Sequence, residues 1–382
     1  MPRNLIDKSQ WGGAEKFDAL LADIRARRAE FEEQRYISQD IIDIFKEIGI
    51  YRAFVPQKFS GDEKNPCEFL QAIEAISAAD GSAGWVASFG MNPFYLSALP
   101  AETIKEVWKD TPDIVFAGGI FPPQPASSVE GGFKVKGRWA FASGCMGASL
   151  LGAGIKTEEK NALPRMAVMP REKVTIEKTW DVHGLTATGS FDLVVEDVIV
   201  PIEWTFTRGA KSNLDFPIFK YPALALAAQV LAVTTLGIAR ESLDSVLAMG
   251  GKRVSVTGAP DIGERPYVHM EIAQAEAQLR SVRAFFYEAT EDIWNSIMQG
   301  DEPSHEQINM VRLATTYLTR ECTNATRSVY HLAGMTSVYY DHPLSRCFRD
   351  AHVARQHAFM GDITYQNAGA MMFGHQPLPG YL

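Results

Sequence analysis

The apolar residues of this chain change period twice, and that order of helical, strand-like and helical texture limits the folds open to it. In residues 11–112 they recur at helical spacing. Phe17, Leu20, Leu21 and Ile24 fall at i, i+3, i+4 and i+7, on one helix face. Ile41, Ile42, Phe45 and Ile48 repeat the pattern, with Ser38 placed as a cap and Gly49 as a stop. Pro66 and Pro100 sit where helices begin. Residues 113–201 read as strands. Phe133 and Val135, then Trp139, Phe141 and Ser143, alternate with period two, which puts the last three on one face. Glu130-Gly131-Gly132 and Gly137 read as turns, and Leu193, Val195, Val198 and Val200 as a last strand before Pro201. Residues 221–373 are helical again, with long amphipathic segments at 271–297 and 305–332. Such segments joined by short links predict a bundle. The expected class is α+β, mainly α: an N-terminal helical domain (1–112), a central β domain (113–203) and a C-terminal helical bundle (204–382).

Composition removes several function classes. The 382 residues are 46% hydrophobic and 22% charged, as in ordinary globular proteins. A net charge of −9 argues against nucleic acid, which calls for a basic stripe. No Lys/Arg run suits a membrane surface, and the apolar stretch at 222–238 is too short and interrupted to predict a span. The first ten residues lack the apolar core of a signal peptide. Cys67, Cys145, Cys322 and Cys347 form no CxxC and have no His at zinc spacing, so they read as free thiols in a reducing cytoplasm, with no metal expected. There is no GxGxxG and no βαβ alternation, hence no nicotinamide site.

Four segments then stand out in order. They are Asp80-Gly-Ser-Ala-Gly-Trp-Val, Gly137-Arg-Trp-Ala-Phe-Ala-Ser-Gly, Trp180-Asp-Val-His-Gly-Leu-Thr-Ala-Thr-Gly-Ser, and Asp341-His-Pro-Leu-Ser-Arg running on to Arg349-Asp350-Ala351 and His357. With the helix–sheet–bundle order, they resemble the acyl-CoA dehydrogenase superfamily over nearly the whole chain. The closer resemblance is to its two-component branch, the hydroxylases of small aromatics that use reduced flavin. That branch includes p-hydroxyphenylacetate, steroid-phenol and dibenzothiophene oxygenases.

The resemblance implies reduced FMN or FAD (FMNH2 or FADH2) delivered by a separate NAD(P)H-dependent flavin reductase. It also implies O2 as co-substrate, a C4a-hydroperoxide, a small phenol- or indole-like substrate and a cytoplasmic homotetramer. Among the residues, Trp139 and Phe141 would pack on the flavin and Ser143 would meet its N5. A strand packing aromatics into the core is the plain alternative. His357 would hold the peroxide or move a substrate proton; otherwise it is a helical histidine at a subunit contact. On one helix His352 and His357 would point about 140° apart, which weighs against a shared metal. Arg253 would contact the flavin phosphate, to which a guanidinium is well matched, or else end a solvated helix. Gly334 would approach the flavin of a neighbouring subunit, or simply terminate a helix.

Two departures bear on the chemistry. Dehydrogenases of the superfamily place a catalytic Glu soon after an Arg-Asp-Ala-like motif, but Gln356-His357-Ala358-Phe359 holds no carboxylate. In the segment Met91-Asn92-Pro93, many of the hydroxylases have a His where this chain has Asn92. An amide donates and accepts but does not titrate, so if this position touches substrate, a neutral heteroaromatic such as an indole, or another small ring, stands beside a phenol as an expected substrate. Phe121 is a further candidate for that pocket. Two other readings remain: an acyl-CoA dehydrogenase or oxidase with an unusual base, bleached by acyl-CoA, and a non-catalytic flavin-fold binding subunit, with no turnover beside any reductase.

Overall fold

The computed structural model describes residues 6–157, 164–207, 209–250, 258, 260–378 and 380–382. The first block forms α1 (Ala14–Ala26), α2 (Arg28–Gln34), α3 (Gln39–Glu47), α4 (Pro66–Ala79), α5 (Gly81–Ala87), α6 (Pro93–Leu96) and α7 (Ala101–Val107). The apolar stripe of α1 is fully buried. Pro66 opens α4 behind a capping box, in which Asn65 and Glu68 satisfy each other's backbone N–H groups.

The β unit comprises β1 (Phe116–Pro125), β2 (Ser127–Val129), β3 (Gly132–Ala142), β4 (Leu150–Lys156), β5 (Arg165–Pro170), β6 (Thr175–Glu177), β7 (Phe191–Pro201) and β8 (Thr205–Thr207). They make two four-stranded sheets, ordered β1-β4-β5-β8 and β2-β3-β7-β6. β1 and β4 are parallel; the other pairs are antiparallel. Two details differ from the expected pattern. Gly137 is not a turn but lies within β3, at a register shift between Val135 and Gly137. A short strand, β8, also follows Pro201.

The C-terminal block holds α8 (Ala223–Met249), α9 (Pro266–Met298), α10 (His305–Leu332), α11 (Pro343–Arg355) and α12 (Ile363–Met372). α10 packs on α8, α9 and α11, and α4 lies along α8, so the N-terminal block shares the bundle core. α8 is longer than its apolar stretch suggested, and by length and composition it could cross a membrane. Its place is the protein interior, where 83% of the apolar window is buried. The buried amide of Gln229 is satisfied there: it accepts from the Tyr221 hydroxyl at 2.8 Å and donates to Thr290 Oγ1 at 2.6 Å.

Candidate active site

One short segment, residues 85–92, brings the candidate residues together. It exists because α5 can press flat on its neighbours. Asp80 caps the helix, accepting from the Ala83 N–H at 2.9 Å. Gly84 sits so close to α4 that a Cβ there would lie 1.8 Å from Ser77 Oγ. Trp85, nearly buried, stands edge-on to the His357 ring, with centroids 5.9 Å apart. Two residues of the segment, Val86 and Phe89, lie 3.7 Å from where a Gly144 Cβ would be, next to Ser143. The segment ends at Asn92. His357 and Ser143, more than 200 residues apart in sequence, thus flank a common wall.

His357 is not on a helix. α11 ends at Arg355, and His357 caps the following turn, its Nδ1 accepting from the Phe359 N–H at 3.3 Å. An accepting Nδ1 carries no proton, so the neutral ring is protonated at Nε2. His352 stays on α11, its Nδ1 2.7 Å from the Phe348 carbonyl. The helical angle expected between the two histidines does not apply, because the chain turns away at Gln356.

Ser143 ends a chain of hydroxyls. Its Oγ is 2.7 Å from Ser190 Oγ, which is 2.7 Å from Thr188 Oγ1; Thr188 Oγ1 in turn donates to the Leu185 carbonyl at 2.9 Å. The Gly144 N–H donates to the Thr188 carbonyl at 2.8 Å, which ties the end of β3 to this turn. Thr188 and Ser190 were not picked out from sequence; the Thr-Gly-Ser spacing inside the third motif was the available signal. Beside them the Cys145 thiol donates to the Gly189 carbonyl at 3.3 Å, and burial pushes its pKa up to about 12, so it stays protonated.

The expectation that Trp139, Phe141 and Ser143 share a face is corrected. The pairing of β3 with β7 slips between Trp139 and Ala142, and Phe141 adopts a left-handed φ of 64°. This bulge sends Trp139 inward and Phe141 outward. Trp139 is 0% exposed and its Nε1 donates to the Gly154 carbonyl at 2.7 Å, pinning β3 to β4 of the other sheet. Phe141 is 68% exposed, its ring edge-on to Trp180 at 6.0 Å.

Asn92 is 1% exposed, and neither its Nδ2 nor its Oδ1 has a hydrogen-bond partner among the described residues. A buried amide left in that state costs free energy unless a ligand completes it. Phe121 lies in the irregular stretch of β1 between Gly119 and Gln124 and is 51% exposed. Gly334, at φ 57°, has open space where a Cβ would stand; Met335, Val338, Tyr339 and Tyr340 beside it are exposed. Arg253 lies outside the described residues.

The donor set suits a flat heteroaromatic cofactor with hydrogen-bonding nitrogens. It offers a half-buried serine hydroxyl oriented by other hydroxyls, a histidine with a defined tautomer, and an unfilled buried amide at the end of segment 85–92.

Comparison with known proteins gives the following. Residues 229–362 match the family described as acyl-CoA dehydrogenase, C-terminal domain. Over 370 residues the chain is 56% identical to the indole-3-acetate monooxygenase of Pseudomonas putida, covering 96% of this chain and 95% of that protein. It is 29% identical over 356 residues to the flavin-dependent monooxygenase oxygenase subunit HsaA of Rhodococcus jostii (strain RHA1), covering 90% and 93% of the two. Its fold matches the crystal structure of 3-HSA hydroxylase from Rhodococcus sp. RHA1 with a TM-score of 0.89 and 28% identity, over 96% of this chain and 98% of that one.

Proposed function

Because this chain belongs to the flavin-dependent aromatic monooxygenases of the acyl-CoA dehydrogenase fold, we propose that its substrate is indole-3-acetate or a closely similar indolic acid. The chain is an oxygenase component that works with reduced flavin, an aromatic substrate and a partner flavin reductase. The observation that carries the substrate reading is the 56% identity to an indole-3-acetate monooxygenase across almost all of both proteins. Asn92 supports it. An indole N–H is a donor with no proton to lose near neutrality, and the unfilled Oδ1 of Asn92 is a buried acceptor for it.

When bound, reduced flavin supplies the two electrons with which O2 is activated. The chain's own residues do the rest. Ser143, oriented by Ser190 and Thr188, would meet the flavin at N5 through its hydroxyl. His357 presents Nε2–H and is held in place by its own cap bond and by the Trp85 edge. That N–H would donate a hydrogen bond to the oxygen being transferred and stabilise the charge that develops there. Trp85, Val86, Phe89 and Asn92 line the wall and keep water from the reacting atoms. Phe141, exposed at its bulge, is assigned to the cofactor side, as is Arg253; Trp139 contributes only through the sheets it joins. Phe121 is assigned to the substrate side.

A cytoplasmic homotetramer completes the reading. Association between copies of the chain is supported by the exposed apolar residues Met335, Val338, Tyr339 and Tyr340 around Gly334, with Met372 and Phe373 near the C-terminus.

The test is single-turnover oxidation. Protein and photoreduced FMN or FAD are mixed with oxygenated buffer and either indole-3-acetate or p-hydroxyphenylacetate, and product mass and hydrogen peroxide are measured. A product gaining one oxygen from indole-3-acetate is expected, formed on the order of 10²-fold faster than from the phenol at equal low concentration. Preference for the phenol would overturn the substrate reading.

A further inference from the structure

We propose that Asp350 is a positioning residue of this oxygenase: through the Leu185 N–H it fixes the turn that orients Ser143, and it ties that turn to the helix leading to His357. The proposal rests on the reading of Ser143 as the flavin contact.

The geometry begins with the carboxyl group. Asp350 is buried in α11, and its Oδ1 accepts from the Leu185 N–H at 2.6 Å, across 165 positions of sequence. Arg346 and Arg349, on the same helix, make their ion pairs with Glu32 of α2 at 3.4 and 3.0 Å, although the charge of Arg346 still acts on Asp350. A buried carboxyl whose neighbouring cations serve another acid is expensive to keep in a core. Its hydrogen bond therefore calls for a role.

Leu185 carries the consequence. Its φ of 49° is a left-handed backbone that a leucine holds only when its surroundings fix it. Asp350 takes its N–H. Its carbonyl accepts from Trp180 Nε1 at 3.1 Å, Thr188 Oγ1 at 2.9 Å and the Thr188 N–H at 3.2 Å. From Thr188 the hydroxyl chain runs through Ser190 to Ser143, and the Trp180 ring meets Phe141. The turn is also pressed directly onto α11, since a Cβ on Gly184 would lie 2.4 Å from the Arg349 carbonyl oxygen.

The same carboxyl touches the other half of the site. Asp350 Oδ2 lies 3.2 Å from where a Gly81 Cβ would be, at the start of α5, the helix that carries Trp85. One side chain thus abuts the turn behind Ser143, the helix behind Trp85 and the helix before His357. Moving it changes the distance between the flavin contact and the histidine without altering either residue.

The experiment uses the full chain with Asp350→Ala, Asp350→Asn and Ser143→Ala. Amide hydrogen exchange of residues 184–190 is followed in flavin-free protein, and product per O2 is measured with supplied reduced flavin and indole-3-acetate. The amide oxygen of Asp350→Asn can still accept from Leu185. Exchange near Leu185 is expected to quicken at least tenfold in Asp350→Ala and to stay near wild type in Asp350→Asn. Product yield should fall several-fold in Asp350→Ala, recover in Asp350→Asn, and fall no further when Asp350→Ala is added to Ser143→Ala. Should the alanine variant not fold, Asp350→Ser, too short to reach Leu185, takes its place. Unchanged exchange, a failed rescue by Asn, or an unchanged yield beside a lowered Ser143→Ala yield would each overturn the proposal. If Ser143→Ala keeps full yield, the Ser143 reading fails by itself, and the exchange data still report whether Asp350 holds the turn.

Discussion

The Trp85 indole meets the His357 imidazole edge-on, with ring centroids 5.9 Å apart and planes inclined at 64°. Such a contact is worth about 0.5–1.5 kcal/mol beyond its buried area, and it fixes the ring direction as well as its position. With Nδ1 accepting from the Phe359 N–H, the proton of the neutral ring sits on Nε2.

His357→Asn separates the structural role from the chemical one. Asn can still cap residues 358–360 through its own side-chain oxygen but is too short to place an N–H where the histidine Nε2–H stands. We predict that thermal stability stays within about 1 kcal/mol of wild type. The rate of product formation should fall on the order of 10²-fold, with hydrogen peroxide accounting for the oxygen consumed. Oxygen electrode traces read with and without catalase check this; unaltered coupling would remove His357 from the chemistry.

Ser143→Ala takes away one hydroxyl and leaves Ser190 bonded to Thr188. The loss of one hydrogen bond of about 1 kcal/mol corresponds to about a fivefold change in rate. Stopped-flow mixing of the reduced flavin complex with oxygen should show the transient near-ultraviolet absorbance decaying about fivefold faster. An unchanged decay would make Ser143 a structural residue of the strand end.

What the sequence disclosed and withheld follows from the range of each interaction. The period of the apolar residues made the helices readable: the stripe of α1 and the segment 305–332, which matches α10, both reflect local burial. The bulge in β3 was not readable, because no residue type announces a phenylalanine at positive φ; strict alternation put Trp139 beside Phe141, whereas tertiary packing turned them apart. Gly137 shows the same limit, since a glycine at a bulge looks like a glycine at a turn. Asn92 was legible as a residue but not as an orphan, which required the packing of segment 85–92. The partners of Ser143 and Leu185 lie 47 and 165 positions away, and no spacing rule links them.

Asn92→Leu sets stability against binding. The wild-type side chain is buried with both polar atoms unpaired among the described residues. Leucine, of the same branched shape though bulkier, removes a desolvation cost of about 1–3 kcal/mol. The flavin- and substrate-free protein should therefore unfold at higher temperature. The same change deletes the acceptor for the ring N–H, so KM for indole-3-acetate should rise about tenfold or more. Scanning calorimetry together with initial rates over a range of substrate concentrations checks both arms. A lower melting temperature would mean that another group already satisfies the amide.

The buried acid at position 350 also predicts how stability depends on pH. Burial, with the charge of Asp80 second, pushes the Asp350 carboxyl from its ordinary 3.8 up to about 7, and the Asp80 carboxyl moves in the same direction. Arg346 opposes the shift at Asp350 and Glu32 adds to it, while Arg28 of α2, paired with Glu241 of α8 at 2.9 Å, opposes the shift at Asp80. Between about pH 4 and 7 the native protein then holds a proton that the unfolded chain has released. The stabilisation from this group is complete below pH 3.8 and is lost as pH rises to about 7. Its slope approaches about 1.4 kcal/mol per pH unit. Asp350→Asn cannot titrate and should flatten that part of the curve, so the variant gains on wild type between pH 5 and pH 8. Urea midpoints at unit pH steps measure the difference. Parallel curves would show that Asp350 is ionised throughout, held so by Arg346, and would move the origin of the pH dependence to Asp80.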